Sequence, residues 1–374
     1  MATQLSQSQS ALGWNSRLVT GIEGNLHSEP FAHPLHTLAA SIDNYVIRKS
    51  QFQSLVSLSR NHLSLIGDQD LKKKAVLHLH WINGLISLER IPERARKQPV
   101  VWTLHDMNPF TGACHQACGC EGFMTDCGEC PAVRSFAWQS VEKSLERKVR
   151  TLDTFENLTV VATSPWIAHQ ARVSAVFSRA KIETIPNPLR PEFFAPHVEP
   201  NQDTPYLLVV ASDTSDPLKN IDFVVDVFTS LSPRYPDLSL HIVGSNASRF
   251  QGKNIVSFEN LSAEQLSQQM SGSIALLVPS LAETAPLVIA EATASGLHVV
   301  ANDIPSLRHM VEWVGSGLLA QGFDQWCETV EKIVQSSLAT SVSEKERATR
   351  RVAAQMFDPM VVARQYIDLY ERIS

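Results

Sequence analysis

Two glutamates, Glu283 and Glu291, stand eight residues apart in the stretch PSLAETAPLVIAEATASG and have the types and spacing best suited to ligand chemistry. One is expected in a loop and the other in the helix that follows, so the two carboxylates can accept hydrogen bonds from hydroxyl groups at different depths. The free N–H groups of a helix N-terminus between them favour an anion such as phosphate. A nucleotide sugar, with a central phosphate and hydroxyl-rich ends, would fit all three features. The alternative is that both glutamates are solvated surface charges.

A strand–helix–strand unit is predicted to position these carboxylates. Residues 274–278 form a continuous apolar run that is typical of a buried strand. Thr284 is expected to cap the next helix, with Pro286 just inside it and Gly296 at its end. Residues 297–301 form a second apolar strand, which predicts a parallel pair with a right-handed crossover. Ligands of such sheets bind beyond the carboxyl ends of the strands, where the loop before the helix lies.

A histidine and an aspartate, His105 and Asp106, directly follow a predicted strand over residues 99–104. A neutral imidazole there accepts a hydrogen bond from a hydroxyl group, whereas an imidazolium stabilises a leaving phosphate. Asp106 is expected to orient His105, cap the next turn or contact an acceptor. The alternative for His105 is a structural histidine with its hydrogen bonds satisfied locally.

The stretch HLHWING carries two more histidines at the end of a strand expected over residues 75–79. His78 and His80 are two residues apart, so they share one face of the strand if it continues to His80. Gly84 would allow close approach of the backbone to a ligand. A binding role competes with simple packing by Trp81 at the strand end.

Five of the six cysteines lie within residues 112–131, which form a predicted cysteine-rich loop. Cys127 and Cys130 have the C-x-x-C spacing of a metal knuckle, and Cys114 with Cys118 or Cys120 would complete a four-thiolate site. We predict structural zinc on Cys114, Cys120, Cys127 and Cys130, with disulfides and an iron–sulfur cluster as alternatives. The remaining cysteine, Cys327, is expected to pack in a helix.

Lys219 follows a predicted strand over residues 206–211 and a short loop, at the start of the next helix. A lysine ammonium is a compact charge suited to a diphosphate. The alternative is a surface lysine without a ligand.

The stretch around the two glutamates resembles the E-x7-E signature of retaining glycosyltransferases of family 4, which have the GT-B fold. The resemblance implies an α/β protein with two Rossmann-like domains facing a central cleft. It implies that Glu283 holds hydroxyl groups of the donor sugar and Glu291 holds the nucleotide ribose. The backbone around Ala285, Pro286 and Leu287 would serve the sugar and phosphate.

The first half carries the same resemblance. VVWTLHDMNPFTG is similar to the T-L-H-D-M-W-P-F-T-G stretch of bacterial exopolysaccharide-type family 4 enzymes, with Asn108 in place of the usual Trp. By that pattern His105 lies near the donor sugar. The same enzymes carry an H-W-x-x-G stretch and four cysteines at the corresponding places.

Two features depart from the family pattern. Lys219 matches the lysine of its G-R-x(n)-K-G loop, but Ser212 or Asp213 occupies the arginine region. Residues 4–12 are predicted to form a helix ending near Gly13, followed by a strand over 16–20. The family begins with a strand and a Gly-rich loop before that helix, so the expectation is that the start lies upstream or that this copy is incomplete.

The function implied is transfer of a sugar, with retention, from a UDP- or GDP-linked donor to a hydroxyl of a glycan or lipid-linked acceptor. The expected setting is exopolysaccharide or cell-envelope glycan synthesis in the cytoplasm, at the inner face of the membrane. No catalytic metal is expected. The alternative is a degenerate, non-catalytic GT-B scaffold that serves as an interaction partner.

Composition is consistent with this organisation. The 374 residues are 44% hydrophobic with a net charge of −6, which makes nucleic acid an unfavourable partner. No apolar run reaches the ~20 residues that a membrane span needs, and the polar N-terminus does not match a secretory signal. Proline density marks residues 186–205 as a linker between an acceptor-side domain over 1–185 and a nucleotide-sugar domain over 206–355. Residues 356–374 are expected to form a helix that packs back on the first domain.

Overall fold

The computed structural model describes residues 1–18, 56–58, 75–83, 86–194, 205–339, 350–352 and 354–374. It divides into two compact units. The first comprises Met1–Pro186 together with Val362–Ser374, and the second comprises Asn187–Val361. No helix in these described ranges is long and apolar enough to cross a membrane.

The first unit contains a parallel sheet whose strands follow one another in chain order. Its strands are β1 (Leu77–Leu79), β2 (Val100–Leu104), β3 (Leu158–Ala162) and β4 (Lys181–Thr184). Its helices are α1 (Ala2–Ala11), α2 (Glu93–Arg96), α3 (Trp138–Leu152) and α4 (Pro165–Val173). Parallel strands need crossover connections, and α4 supplies one between β3 and β4.

The second unit contains a parallel sheet in the order β10-β9-β8-β5-β6-β7. Its strands are β5 (Tyr206–Asp213), β6 (Ser239–Ser245), β7 (Ile255–Phe258), β8 (Ala275–Val278), β9 (His298–Asn302) and β10 (Leu318–Ala320). Its helices are α5 (Ile221–Leu231), α6 (Ala263–Gly272), α7 (Leu287–Ala294), α8 (Pro305–Val314) and α9 (Gly322–Ala339). Each unit is therefore a Rossmann-like α/β domain.

Apolar residues cover both faces of the first sheet, as the period of two along a strand requires. On β2, Val100, Trp102 and Leu104 pack into one core. Val101 points to the opposite face and packs in a second core. This arrangement explains why the strand reads as a continuous apolar run rather than as an alternation.

The second core of the first unit is completed by the last helix of the chain, α10 (Pro359–Ile373). Five buried side chains of α10 line it: Val362, Ala363, Tyr366, Leu369 and Tyr370. They pack against Leu5 of α1, Val101 of β2 and Val161 of β3. The C-terminal residues are thus an integral part of the first unit.

Part of the linker expected over residues 186–205 belongs to the second unit. The structure assigns residues 187–194 to the second unit, where Leu189 and Phe193 are buried in its core. The Leu189 N–H also donates to the Phe357 carbonyl at 2.9 Å. The proline-rich residues 187–194 therefore form an irregular segment that packs on the core of the second unit. Residues 195–204 lie outside the described part of the chain.

The structure also differs from the sequence predictions at one short strand and at the start of one helix. The strand expected over 16–20 is irregular at residues 14–18, and residues 19–20 lie outside the described ranges. Pro286 is the N-cap of α7, which has no side-chain cap, so the prediction of a Thr284 cap with Pro286 inside the helix was wrong. Gly296 does end that helix, with φ +74°.

A close approach of two strands depends on Gly244 of β6. Its φ is +143°, and a Cβ there would lie 1.8 Å from the Ala211 carbonyl oxygen of β5. Gly315 offers a matched control because its φ of +61° is also left-handed, yet a Cβ would meet nothing within 4 Å.

We expect Gly315→Ala to lower the free energy of unfolding by about 1 kcal/mol, since it adds only backbone strain. Gly244→Ala should lower it by about 3 kcal/mol or more, because the backbone of β5 must also move. Urea unfolding followed by circular dichroism measures both. Equal losses for the two variants would contradict the steric contact.

Candidate functional site

The loop between β8 and α7 carries the first predicted glutamate. β8 and β9 pair in parallel, with Ala275 opposite His298, and α7 makes the crossover. At the end of α7 the Leu297 N–H donates to the Ala292 carbonyl at 2.8 Å. Together with the left-handed Gly296, this bond closes the helix and directs the chain into β9.

The structure brings two of the predicted residues, Lys219 and Glu283, into contact. Lys219 Nζ lies 2.6 Å from Glu283 Oε1, although 64 residues separate them. The side chains are 22% and 11% exposed, so the pair is largely withdrawn from solvent. Two such groups at the carboxyl ends of neighbouring strands are available to a charged ligand, because β5 pairs with β8.

Two asparagines that sequence reasoning missed hold the loops of this pair. Asn220 Nδ2 donates to the Pro279 carbonyl, and Asn302 Nδ2 donates to the Ser280 carbonyl, both at 3.3 Å. Asn220 has φ +54°. Asparagine tolerates this left-handed conformation, which gives a physical reason for Asn where the family pattern has Gly after the lysine. The presence of Asn in place of Gly after the lysine was the feature of the sequence from which the role of Asn220 could have been inferred.

The second predicted glutamate, Glu291, lies on α7 in a partly exposed position. Burial raises its pKa to about 7, and the positive charge of Arg190 opposes this rise. A carboxyl group with a pKa near neutrality exchanges between a proton donor and a pure acceptor of hydrogen bonds.

Three histidines cluster at the carboxyl edge of β1 and β2 in the first unit. His80 Nδ1 lies 2.9 Å from His105 Nε2, and His78 bonds Tyr370 at 2.6 Å and Thr103 at 2.7 Å. Burial lowers the pKa of His78 to about 3 and that of His105 to about 4. Burial likewise holds the pKa of His80 well below its usual value. Burial therefore keeps all three rings neutral at pH 7, and a ligand-binding role for His105 stays a prediction.

Asp106 caps a turn and pairs with a histidine that the sequence analysis did not single out. Its Oδ1 accepts from the Asn108 N–H at 2.8 Å, and its Oδ2 lies 2.7 Å from His115 Nδ1. Trp81 stacks on the His115 ring with centroids 4.9 Å apart. Of the three expected roles, the structure supports capping, and the carboxylate is engaged by His115 rather than by His105.

A pocket that is open to solvent adjoins these residues within the first unit. Its polar wall includes His80, Asn83, Glu89, His105 and Arg147. Such a wall offers both donors and acceptors to a hydroxyl-rich molecule. Gly84, which was expected to admit a ligand, lies outside the described residues.

The four predicted zinc ligands, Cys114, Cys120, Cys127 and Cys130, lie in the cysteine-rich loop. All four are free cysteines, and burial raises the pKa of the Cys114, Cys127 and Cys130 thiols above the ordinary value. In the described part of the chain, no group of three or more His, Cys, Asp or Glu side chains is arranged so that it could hold a metal ion. Zinc at this group stays a prediction. Cys327 packs against a core of the second unit.

Comparison with known proteins defines the class of this chain. Residues 192–352 match the family model described as Glycosyl transferases group 1. That range contains Lys219, Glu283 and Glu291. The chain is a transferase of the glycosyltransferase class, and its two parallel-sheet units have the GT-B fold predicted from the sequence.

Curated relatives extend the match. An Escherichia coli K12 protein named "Putative colanic acid biosynthesis glycosyl transferase WcaC" is 23% identical over 317 residues, which are 80% of this chain and 75% of the relative. An uncharacterized glycosyltransferase of Haemophilus influenzae is 28% identical over 141 residues, covering 34% and 40%. The first of these relatives extends the similarity well beyond residues 192–352.

Solved structures show the fold. Sucrose-phosphate synthase from Thermosynechococcus elongatus superposes with a TM-score of 0.65 at 17% identity, covering 99% of this chain and 92% of that one. WaaG, a glycosyltransferase involved in lipopolysaccharide biosynthesis, has a TM-score of 0.62 at 14% identity, covering 99% and 94%. The non-catalytic alternative gains no support from these matches.

Glu291 gives a pH-dependent prediction for stability. Between its ordinary value of 4.5 and about 7, the folded chain retains a proton that the unfolded chain has lost. The contribution of Glu291 to the free energy of unfolding therefore falls as the pH rises through this window. At pH 8 we expect Glu291→Gln to be more stable than the wild type by about 1–3 kcal/mol.

At pH 4 that advantage should vanish, since the wild-type carboxyl is then neutral in both states. Thermal or urea unfolding of the two proteins at pH 4, 6 and 8 makes the measurement. A stability difference that stays constant over this range would contradict the raised pKa.

Proposed function

We propose that this glycosyltransferase moves a sugar, with retention of configuration, from a nucleotide diphosphate donor to a hydroxyl of a glycan or lipid-linked acceptor. The observation that carries the proposal is the Lys219–Glu283 ion pair, 2.6 Å long, at adjoining loops of β5 and β8. These loops lie in the domain that matches the group 1 family.

The ion pair supplies the two charges that a nucleotide sugar needs. A diphosphate attracts the Lys219 ammonium, which is a compact cation. When Lys219 turns to the phosphates, Glu283 is left with free carboxylate oxygens that accept hydrogen bonds from sugar hydroxyls. In the structure each group of the pair neutralises the other, and a bound donor would replace both interactions.

The helix after the loop supplies the rest of the donor site. The backbone around Ala285, Pro286 and Leu287 borders the first turn of α7, whose N–H groups favour the phosphate and the sugar. Glu291, one turn further along α7, would accept hydrogen bonds from the ribose hydroxyls. The charge that develops on the departing diphosphate is then met by fixed dipoles and by Lys219.

The acceptor would bind in the first-unit cavity. The neutral rings of His80 and His105 in its wall can take a hydrogen bond from an acceptor or donor hydroxyl. Positioning of that hydroxyl, rather than a strong base, would supply the catalytic advantage in this domain. Asp106 would act by holding the turn after β2.

The biological setting follows from the relatives. WcaC is named for colanic acid biosynthesis and WaaG for lipopolysaccharide biosynthesis, which supports exopolysaccharide or cell-envelope glycan synthesis as the setting. A place at the cytoplasmic face of the membrane stays a prediction. One structural neighbour was solved with UDP and GlcNAc, so a UDP-linked sugar is the first donor to test and a GDP-linked sugar the second.

Removing either charge of the pair should abolish most of the transfer. We expect Glu283→Gln and Lys219→Met each to lower kcat/KM about 100-fold or more, which corresponds to about 2.7 kcal/mol of transition-state stabilisation. Release of UDP or GDP from a panel of nucleotide sugars measures the rate, and NMR of the product tests whether the anomeric configuration is retained.

Glu328→Gln is the matched control. Glu328 also pairs with a lysine, Lys332, at 2.6 Å, but the two side chains are 64% and 70% exposed on α9. The transfer rate of Glu328→Gln should stay within about twofold of the wild-type rate, since exposed ion pairs contribute little to stability. Turnover by folded Glu283→Gln equal to that of this control would reject the assigned role.

A further inference from the structure

We infer that the pocket of the first unit binds the ring of a pyranose sugar, with Trp81 as its platform and Asn83 as the residue that selects among the sugar hydroxyls. The inference rests on the proposed function in calling this sugar the acceptor, and it names the chemical class of that acceptor. Three features of the pocket support it: an aromatic face held in place, an amide of fixed orientation, and polar side chains with unused hydrogen-bonding capacity.

The aromatic face belongs to Trp81, which borders the pocket and is 49% exposed. Its indole stacks on the His115 ring with an interplanar angle of 16°. Asp106 and Ser57 hold the two nitrogens of that ring, at 2.7 Å and 2.9 Å. Because the imidazole is held at both nitrogens, it fixes the plane of the indole while half of Trp81 stays open to solvent. The electron-rich face of an indole attracts the polarised C–H groups of a sugar ring.

The orientation of the Asn83 amide is fixed by Asn108, which is 1% exposed. Asn108 Nδ2 donates to the Ala113 carbonyl at 2.6 Å and to the Ser57 carbonyl at 3.1 Å. Backbone carbonyls only accept hydrogen bonds, so the amide oxygen of Asn108 must face Asn83. Asn83 Nδ2 donates to that oxygen at 2.9 Å. A flipped Asn83 would place two oxygens face to face, so its own oxygen is directed away from Asn108.

This arrangement leaves Asn83 with one acceptor and one donor for a ligand. In the part of the chain that the structure describes, its Oδ1 and its second Nδ2 hydrogen have no partner. The two atoms lie side by side on one amide, so they suit two adjacent hydroxyl groups, one that donates and one that accepts. Adjacent hydroxyl groups on a ring are characteristic of pyranoses.

The turn that carries Asn108 is held by a buried lysine of α3. Lys148 Nζ donates to the Asn108 carbonyl at 2.6 Å and to the Thr111 carbonyl at 2.8 Å, where the cysteine-rich loop begins. The Asn108 N–H donates to Asp106 Oδ1 at 2.8 Å. Every polar atom of Asn108 therefore has a partner, which makes it a positioning residue that acts on the ligand only through Asn83.

Two side chains of α3 on the pocket wall have hydrogen-bonding capacity to spare. Ser144 is 1% exposed, and its hydroxyl has no partner among the described residues. Arg147 Nε donates to the Lys143 carbonyl of its own helix at 3.3 Å, and its other guanidinium nitrogens have no partner within the described ranges. A buried hydroxyl without a partner is costly. A ligand hydroxyl that reaches Ser144 would remove that cost.

The polar groups around Trp81 favour a sugar over a nucleobase, which also stacks on aromatic rings. The pocket surrounds the indole with an amide, a hydroxyl and the neutral imidazoles of His80 and His105. Such groups match the several hydroxyls of a sugar, each both donor and acceptor, better than the few fixed polar atoms of a base. Nucleosides therefore serve as the competing ligands in the experiment.

The first test measures sugar binding to the full chain without a donor. Chains labelled with fluorotryptophan should give seven fluorine resonances, one for each Trp, and the one missing from Trp81→Phe belongs to Trp81. The methyl pyranosides of glucose, galactose, mannose, fucose and N-acetylglucosamine are titrated in turn, followed by uridine and adenosine. At least one pyranoside should shift the Trp81 resonance to saturation at millimolar concentrations, and neither nucleoside should shift it.

The second test identifies the hydroxyls that Asn83 contacts. Removing the hydroxyls of the bound pyranoside one at a time should weaken wild-type binding about tenfold at one position or at two adjacent positions, the effect of losing one good hydrogen bond. In Asn83→Ala the parent sugar should bind about tenfold more weakly, and removal of those same hydroxyls should cost nothing further.

Asn157→Ala is the matched control for Asn83→Ala. Asn157 is an exposed asparagine of the first unit whose Nδ2 also donates to an oxygen, the Lys97 carbonyl, at 3.3 Å. It does not border the pocket, so its variant should bind the sugar as the wild type does. Circular dichroism checks folding, and the deoxy sugars on the wild type still test the inference if Asn83→Ala does not fold.

Four results would overturn the inference: no binding of any pyranoside, binding that leaves the Trp81 resonance unchanged, a shift caused by nucleosides alone, or equal binding of all the deoxy sugars by the wild type. Failure of the proposed function has a different sign, because no nucleotide sugar would then release UDP or GDP. A chain that binds a pyranoside at Trp81 without such release would keep the sugar site and lose the transfer reaction. Release without any sugar binding at Trp81 would do the reverse.

Discussion

The parallel pairing of β5 with β8 is the constraint on which the proposed donor site depends. Leu207 pairs with Ala275 and Leu208 with Leu276, so two segments that are far apart in sequence end at the same edge of the sheet. The Leu281 N–H donates to the Leu218 carbonyl at 2.8 Å and joins the loops that follow the two strands. Because buried parallel strands fix their register through both faces, Lys219 and Glu283 meet without any local sequence relation between them.

A comparable arrangement in the first unit depends on the end of the chain. Tyr366 and Tyr370 of α10 hydrogen-bond Thr103 and His78, and Thr103 also bonds His78. The last helix therefore supplies polar partners inside an apolar core, where an unpaired hydroxyl or imidazole would be costly. It fixes the orientation of His78, whose ring lies 4.1 Å from that of His80, the partner of His105.

Part of the fold could be predicted from short stretches of the sequence. The continuous apolar runs identified β8 and β9, and Gly296 identified the end of α7, because these signals depend on neighbouring residues alone. Contacts between distant segments gave no such signal. His115 could not be assigned to Asp106, nor Lys148 to the cysteine loop, until the topology placed α3 and the loop together. The edge strand β7 was not predicted, because its four-residue sequence IVSF is too short and shows no regular alternation of apolar and polar residues.

The polar groups of the two proposed binding sites differ in charge. In the second unit, Lys219 and Glu283 form an ion pair that is largely withdrawn from water, so each holds the other in place. In the first unit, burial keeps His78, His80 and His105 uncharged. A charged diphosphate gains most from groups that exchange one ion pair for another, whereas a neutral hydroxyl gains most from neutral partners that lose little solvation. The distribution of charge is therefore consistent with the proposed binding of an anionic donor in the second unit and a neutral acceptor in the first.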